Sequence, residues 1–121
     1  MLVLLSITPA ILTLLFSTTM TQSLHTQLSQ DIDLARWSWL ESHAQRDAIV
    51  LVNPALGLAD VGVAIATDNT QIVQHWIAEQ LLLKPTQTQI IEWDAQKVKE
   101  FNALIIQPYV LIQEVNSTIS S

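Results

Sequence analysis

Apolar positions recur along this chain in two rhythms, one helical and one extended, and the switches between them mark out its elements. Leu24, Leu28, Ile32 and Ala35 fall at helical spacing, which predicts an amphipathic helix over 22–32. Asp33 is placed to N-cap a second helix over 34–45. On that helix Trp37, Leu40 and Ala44 form one stripe, and Trp39, His43 and Arg46 form a neighbouring one. Trp37 and Trp39 are two positions apart, so they cannot face the same core. Residues 48–52, AIVLV, are a short β-branched run that stops at Asn53-Pro54. Apolar residues occupy both parities there, which predicts a strand buried on both faces.

Residues 59–67 fit two patterns. Val61, Val63 and Ile65 alternate with small residues as in a strand, whereas Leu58, Val61 and Ile65 make a helical stripe. Helix is the reading taken, with a hairpin against 48–52 as the alternative. Asp68 and Gln71 have capping-box spacing and open a helix that runs to Lys84, where Pro85 stops it. Ile72, Val73, Trp76, Ile77 and Leu81 are its expected buried face, with Gln71, His75 and Glu79 outward. Thr86 and Gln89 repeat the capping-box spacing for a helix carrying Ile90, Ile91 and Trp93 and reaching toward Val98 and Phe101. Residues 102–114 are the second extended run, and Pro108 must fall at an edge, a bulge or a break in it. The expected fold is therefore α+β: several amphipathic helices around a small two- or three-stranded sheet. The runs 48–52 and 102–113 pair side by side in it, with the intervening helices on one face. Residues 115–121 read as a disordered polar tail.

The length of 121 residues fits one domain, assigned to 20–114. The chain contains no cysteine, which removes disulfide frameworks, thiol catalysis and cysteine zinc sites. Net charge is −6, and the five basic residues, Arg36, Arg46, Lys84, Lys97 and Lys99, are scattered. Nucleic-acid binding needs clustered cations, so it is not expected. The acidity favours solubility. The first charged residue is Asp31, and residues 1–16 are almost wholly apolar. They lack the positive n-region and small-residue cleavage site of a secretory signal. They are also short for a membrane span, contain Pro9, and have no flanking cations. A true start at Met20 accounts for all these missing features and implies a cytoplasmic protein. The alternative is a membrane anchor through residues 1–16, in which case 1–19 is a genuine leader.

Candidate chemistry is sparse. No HExxH, P-loop or dinucleotide fingerprint is present, and Gly57 and Gly62 are the only glycines. His75 and Glu79 have the spacing of two metal ligands, but nothing completes the set, so they read as an exposed polar pair. No metal and no cofactor is expected. His43 and Arg46, beside Asp47, are the best polar cluster and could bind an anion or carboxylate, with His43 exchanging a proton near neutrality. The bland reading makes them a helix C-terminus with a favourable cation. Gln107, Tyr109 and Gln113 around Pro108 could line a pocket or satisfy backbone groups where the ladder is interrupted. Trp39 is the interface candidate, since Trp is enriched where partners meet. Asn116-Ser117-Thr118 matches a glycosylation sequon and matters only in a secretory pathway.

Several of these segments together resemble a known family. The stretches WSWLxxHAxRD at 37–47, LGLADVGVAIATDN at 56–69, VQHWI at 73–77, KP at 84–85 and LIIQPYVLIQ at 104–113 are similar to small bacterial proteins grouped as domain of unknown function 2288, common in cyanobacteria and proteobacteria. The resemblance covers about 22–114. It implies a start near Met20 and supplies no reaction, substrate or cofactor. The function expected is a non-catalytic binding or interaction module acting on an unidentified protein partner or on a second copy of itself. The alternatives are a small-ligand-binding protein or enzyme using His43 and Arg46 with Gln107 and Tyr109, and a membrane-tethered accessory domain.

Overall fold

A computed structural model describes residues 23–115, so the expectations for the apolar leader and for the sequon at 116–118 lie outside the described residues. The elements run α1 (23–31), β1 (Asp33–Arg36), α2 (Trp37–Gln45), β2 (Ile49–Val52), α3 (Leu58–Ala66), α4 (Thr70–Ala78), β3 (Leu82–Leu83), α5 (Gln87–Asp94), β4 (Glu100–Ile106) and β5 (Tyr109–Glu114). The fold is α+β, as expected, but the sheet has five strands in the order β1-β4-β5-β2-β3 rather than two or three.

The two extended runs do lie side by side. β2 pairs in parallel with β5 through Ile49 to Val110, Val50 to Leu111 and Leu51 to Ile112. Pro108 divides the second run into β4 and β5, an antiparallel hairpin whose two-residue turn holds a cis Gln107-Pro108 bond. The added strands come from segments with helical spacing. β1 pairs with β4 at one edge, and β3 pairs with β2 at the other. Residues 34–36 leave the predicted second helix, and Asp33, its expected N-cap, opens β1 instead; the N-cap is Arg36, and Ala35 packs against a core cluster from the strand, a tertiary contact that outweighs local preference.

Strand alternation sends side chains to both faces of the sheet, so there are two cores. One gathers Leu28 of α1, Leu58, Ala59 and Val61 of α3, and Val52, Leu82, Leu104, Ile106 and Leu111 of the sheet, with Val73 and Trp76 of α4 against them. The other gathers Trp37 and Leu40 of α2, Trp93 of α5, and Ile49, Phe101, Ala103, Val110 and Ile112. Helices therefore cover both faces, not one: α1, α3 and α4 pack on the first, α2 and α5 on the second. Burying β2 on both sides explains its unbroken apolar run.

The second core is aromatic. Trp37 and Trp93 meet edge to face at 5.0 Å between centroids, and Trp93 and Phe101 at 4.9 Å. The Trp37 indole N–H donates to Asp94 Oδ1 at 2.7 Å, which ties α2 to α5. In the first core, Gly62 lets α3 lie close on the sheet. A Cβ there would come within 2.8 Å of Leu104 Cδ2.

Helix ends account for the other differences from expectation. α4 stops at Ala78 instead of running to Lys84. Gln80 adopts φ 61°, Leu81 N–H donates to Trp76 O, and Gln80 N–H donates to Ile77 O, which is a Schellman motif. Asp47 and Asp68, at φ 60° and 58°, close α2 and α3 with the same pair of bonds. Asp68 is therefore the end of α3, and Asn69 is the N-cap of α4, its side chain accepting from Ile72 N–H at 3.4 Å. The Thr86–Gln89 capping box forms as predicted.

Candidate functional site

The bend from α3 to α4 leaves a gap above the sheet. Asp68, in the left-handed conformation, and Asn69, the N-cap of α4, turn the chain between α3 and α4. Between the two helices and the floor of the sheet lies a groove of about 560 Å³. Its walls are Ala64 and Ile65 of α3 and Val73 and Ile77 of α4; its floor is Val50, Leu82 and Tyr109. Leu83 and Lys84 close it along the β3 edge. The volume falls in the range of small-molecule sites, and the mainly apolar lining with a few polar groups is typical of them.

Three exposed apolar side chains belong to this groove. Ile77 is 54% exposed, and Leu83 and Tyr109 are also exposed. Ile77 was expected in the buried face of α4, yet α4 contributes no fully buried residue, and Ile72, Val73 and Trp76 are half-buried. The stripe is apolar because it faces the groove as well as the core. Polar groups stand on the rim: Asp68, Asn69, Thr70, Gln74 and Lys84. Lys84 Nζ donates to Asp47 Oδ2 in an exposed ion pair. No polar or charged side chain among the described residues is fully buried.

The residues singled out from the sequence fall in three places. Tyr109 lines the groove, and Gln107 is exposed in the turn just before it. His43 and Arg46 lie on α2, against the opposite face of the sheet, with the Arg46 guanidinium donating to His43 Nδ1 at 2.7 Å. Desolvation, and then the Arg46 charge, hold the His43 pKa below its ordinary value. The structure thus joins His43 to Arg46 and places both away from Tyr109. Gln113 has a structural part: its amide donates to Asn53 O and Leu56 O, pinning the loop from β2 to α3.

Trp37 and Trp39 divide as their spacing requires. Trp37 is fully buried, while Trp39 is 46% exposed and packs against the His43 ring at a tilt of 50°, 4.6 Å between centroids. Trp39 borders a second hollow, of about 700 Å³, with Ala35, Arg36, Ala103 and Ile105. Leu34 and Ile105 are exposed beside it.

Sequence reasoning missed Asp68, Asn69, Val73 and Leu83 as site residues. The available signal was the width of the α4 stripe, which holds more apolar positions than one packed face of a nine-residue helix uses. Among the described residues no group of three or more His, Cys, Asp or Glu could hold a metal ion, and no helix is long and apolar enough to cross a membrane.

Comparison with known proteins places this geometry in context. The model of a family described as "Protein of unknown function (DUF2288)" matches residues 23–114. The NMR solution structure of PA1075 from Pseudomonas aeruginosa is similar at 26% identity and a TM-score of 0.64, covering 76% of this chain and 84% of that one. No curated protein matches.

Proposed function

The chain belongs to the DUF2288 family, and from the groove of this member we propose that it is a non-catalytic binding module whose ligand enters between α3, α4 and the sheet. The observation that carries the reading is the groove itself: about 560 Å³, walled by Ile65, Val73, Ile77 and Leu82, with polar groups confined to its rim. A cavity of that size and lining gains affinity by removing apolar surface from water and gains orientation from its few polar groups.

Titration of the isotopically labelled protein with 1-octanol, followed by amide and methyl NMR shifts, tests the reading. Saturable shifts at Val50, Ile65, Val73, Ile77 and Leu83 are expected. Ile77→Lys, a change at an exposed position, should weaken them by about tenfold, the factor expected for losing one well-placed apolar contact and setting a charge at the mouth. Shifts scattered over the surface, or unaltered binding in Ile77→Lys, overturn it.

A second reading, self-association, rests on a separate observation. Trp39 and Ile105 form an exposed apolar surface on the opposite side of the sheet, next to the edge strand that carries the exposed Leu34. Sedimentation velocity of the wild type and Trp39→Ala is its test.

A further inference from the structure

The charges around the groove do not cancel. Among the described residues two charged ones line it, Asp68 and Lys84. Lys84 forms an exposed pair with Asp47, which stands outside the lining, so Asp47, Lys84 and Asp68 together carry a net negative charge. Asp68 makes no salt bridge within 4.0 Å among the described residues. Its left-handed backbone, φ 58°, places it at the corner where α3 ends and α4 begins, on the groove's rim. The site therefore presents an apolar trough with one uncompensated negative charge at its edge. Among the described residues the aromatic ring lining that trough is Tyr109, which is exposed. Carboxylate and aromatic face are the two groups that attract an organic cation, the first by Coulomb attraction and the second through its ring quadrupole.

Resting on the groove reading above, we propose that the ligand is a small amphiphilic ammonium compound, its apolar body in the trough and its cationic head between Asp68 and Tyr109. The size favours a small molecule over a protein segment, since about 560 Å³ holds a chain of eight or so carbons with its head group. Asn69, Thr70 and Gln74 add neutral hydrogen-bonding groups on the same rim and bring no competing positive charge. An anionic amphiphile would meet the net negative charge of Asp47, Lys84 and Asp68.

Three probes of equal chain length test this by calorimetry and NMR at 0.15 M salt and pH 7: octylammonium, 1-octanol and octanoate. Octylammonium should bind tightest, octanol next and octanoate weakest. Asp68→Asn should weaken octylammonium by about fivefold, the scale of one exposed charge contact, and leave octanol unchanged. Asn accepts a left-handed backbone nearly as readily as Asp, so this variant keeps the α3–α4 corner. Glu92→Gln on α5 removes an equal charge outside the groove and should leave all three affinities unchanged. If octylammonium and octanol bind alike, or Glu92→Gln weakens octylammonium as much as Asp68→Asn, the charge proposal fails while the groove reading stands. If none of the three shifts the groove residues, both fail.

Discussion

His43 makes two contacts along one face of α2 and its C-cap: the Trp39 ring packs against it at a tilt of 50°, and Arg46 donates to its Nδ1. That bond needs the neutral imidazole, since the protonated ring has no acceptor. Desolvation first, and the adjacent guanidinium second, lower its pKa from about 6.5. The folded chain thus binds this proton more weakly than the unfolded chain does. The His43 contribution to stability is complete above about pH 6.5 and is lost as pH falls through the lowered value. Arg46→Gln should raise the His43 pKa part of the way back, with desolvation holding the remainder, as read from the pH dependence of its ring proton shifts in NMR. An unchanged pKa would mean that Arg46 has no part in the depression. The Trp39–His43–Arg46 stripe was legible in the sequence because spacing along one helix is a local property. Which side of the sheet that helix covers is not local, and so the separation of His43 from Tyr109 was not legible.

Three helices end on residues in the left-handed conformation, Asp47, Asp68 and Gln80, and none of them is glycine. This is why the boundaries were the least legible part of the fold. A glycine after Ala78 would have announced the stop, whereas Gln80 reads as one more helix former and lets the apolar pattern run on to Lys84. By contrast Thr86 and Gln89 carry their own start signal, and the capping box appears where they predict it. The left-handed conformation is costly for a residue with a Cβ, and more so for Gln than for Asp. Gln80→Gly should therefore stabilise the protein by about 0.5–1 kcal/mol, measured by urea unfolding. A loss of stability would show that the Gln80 side chain makes contacts outweighing the backbone strain.

At the scale of the molecule, the two faces of the sheet carry different surfaces. One bears the groove, and the other bears Trp39 with Ile105. If the latter joins two copies, sedimentation coefficients of the wild type will rise with protein concentration, and Trp39→Ala will stay at the monomer value. Concentration-independent sedimentation of both removes the self-association reading, and equal assembly of both removes Trp39 from the interface. That the two apolar runs pair was legible because each is buried on both sides and needs an equally apolar neighbour. The strand number was not, because β1 and β3 are short edge pieces that exist only through their partners.

The position of β5 has a consequence for how the protein is made. It is the last of the described strands along the chain, yet it stands third of five in the sheet, between β4 and β2. During synthesis β2 leaves the ribosome about sixty residues before the segment that will flank it, a separation that slows closure of the sheet. Until then β2 has an open oily flank, and the nascent chain must wait, shielded or at risk of sticking to a neighbour, for its central stave to arrive.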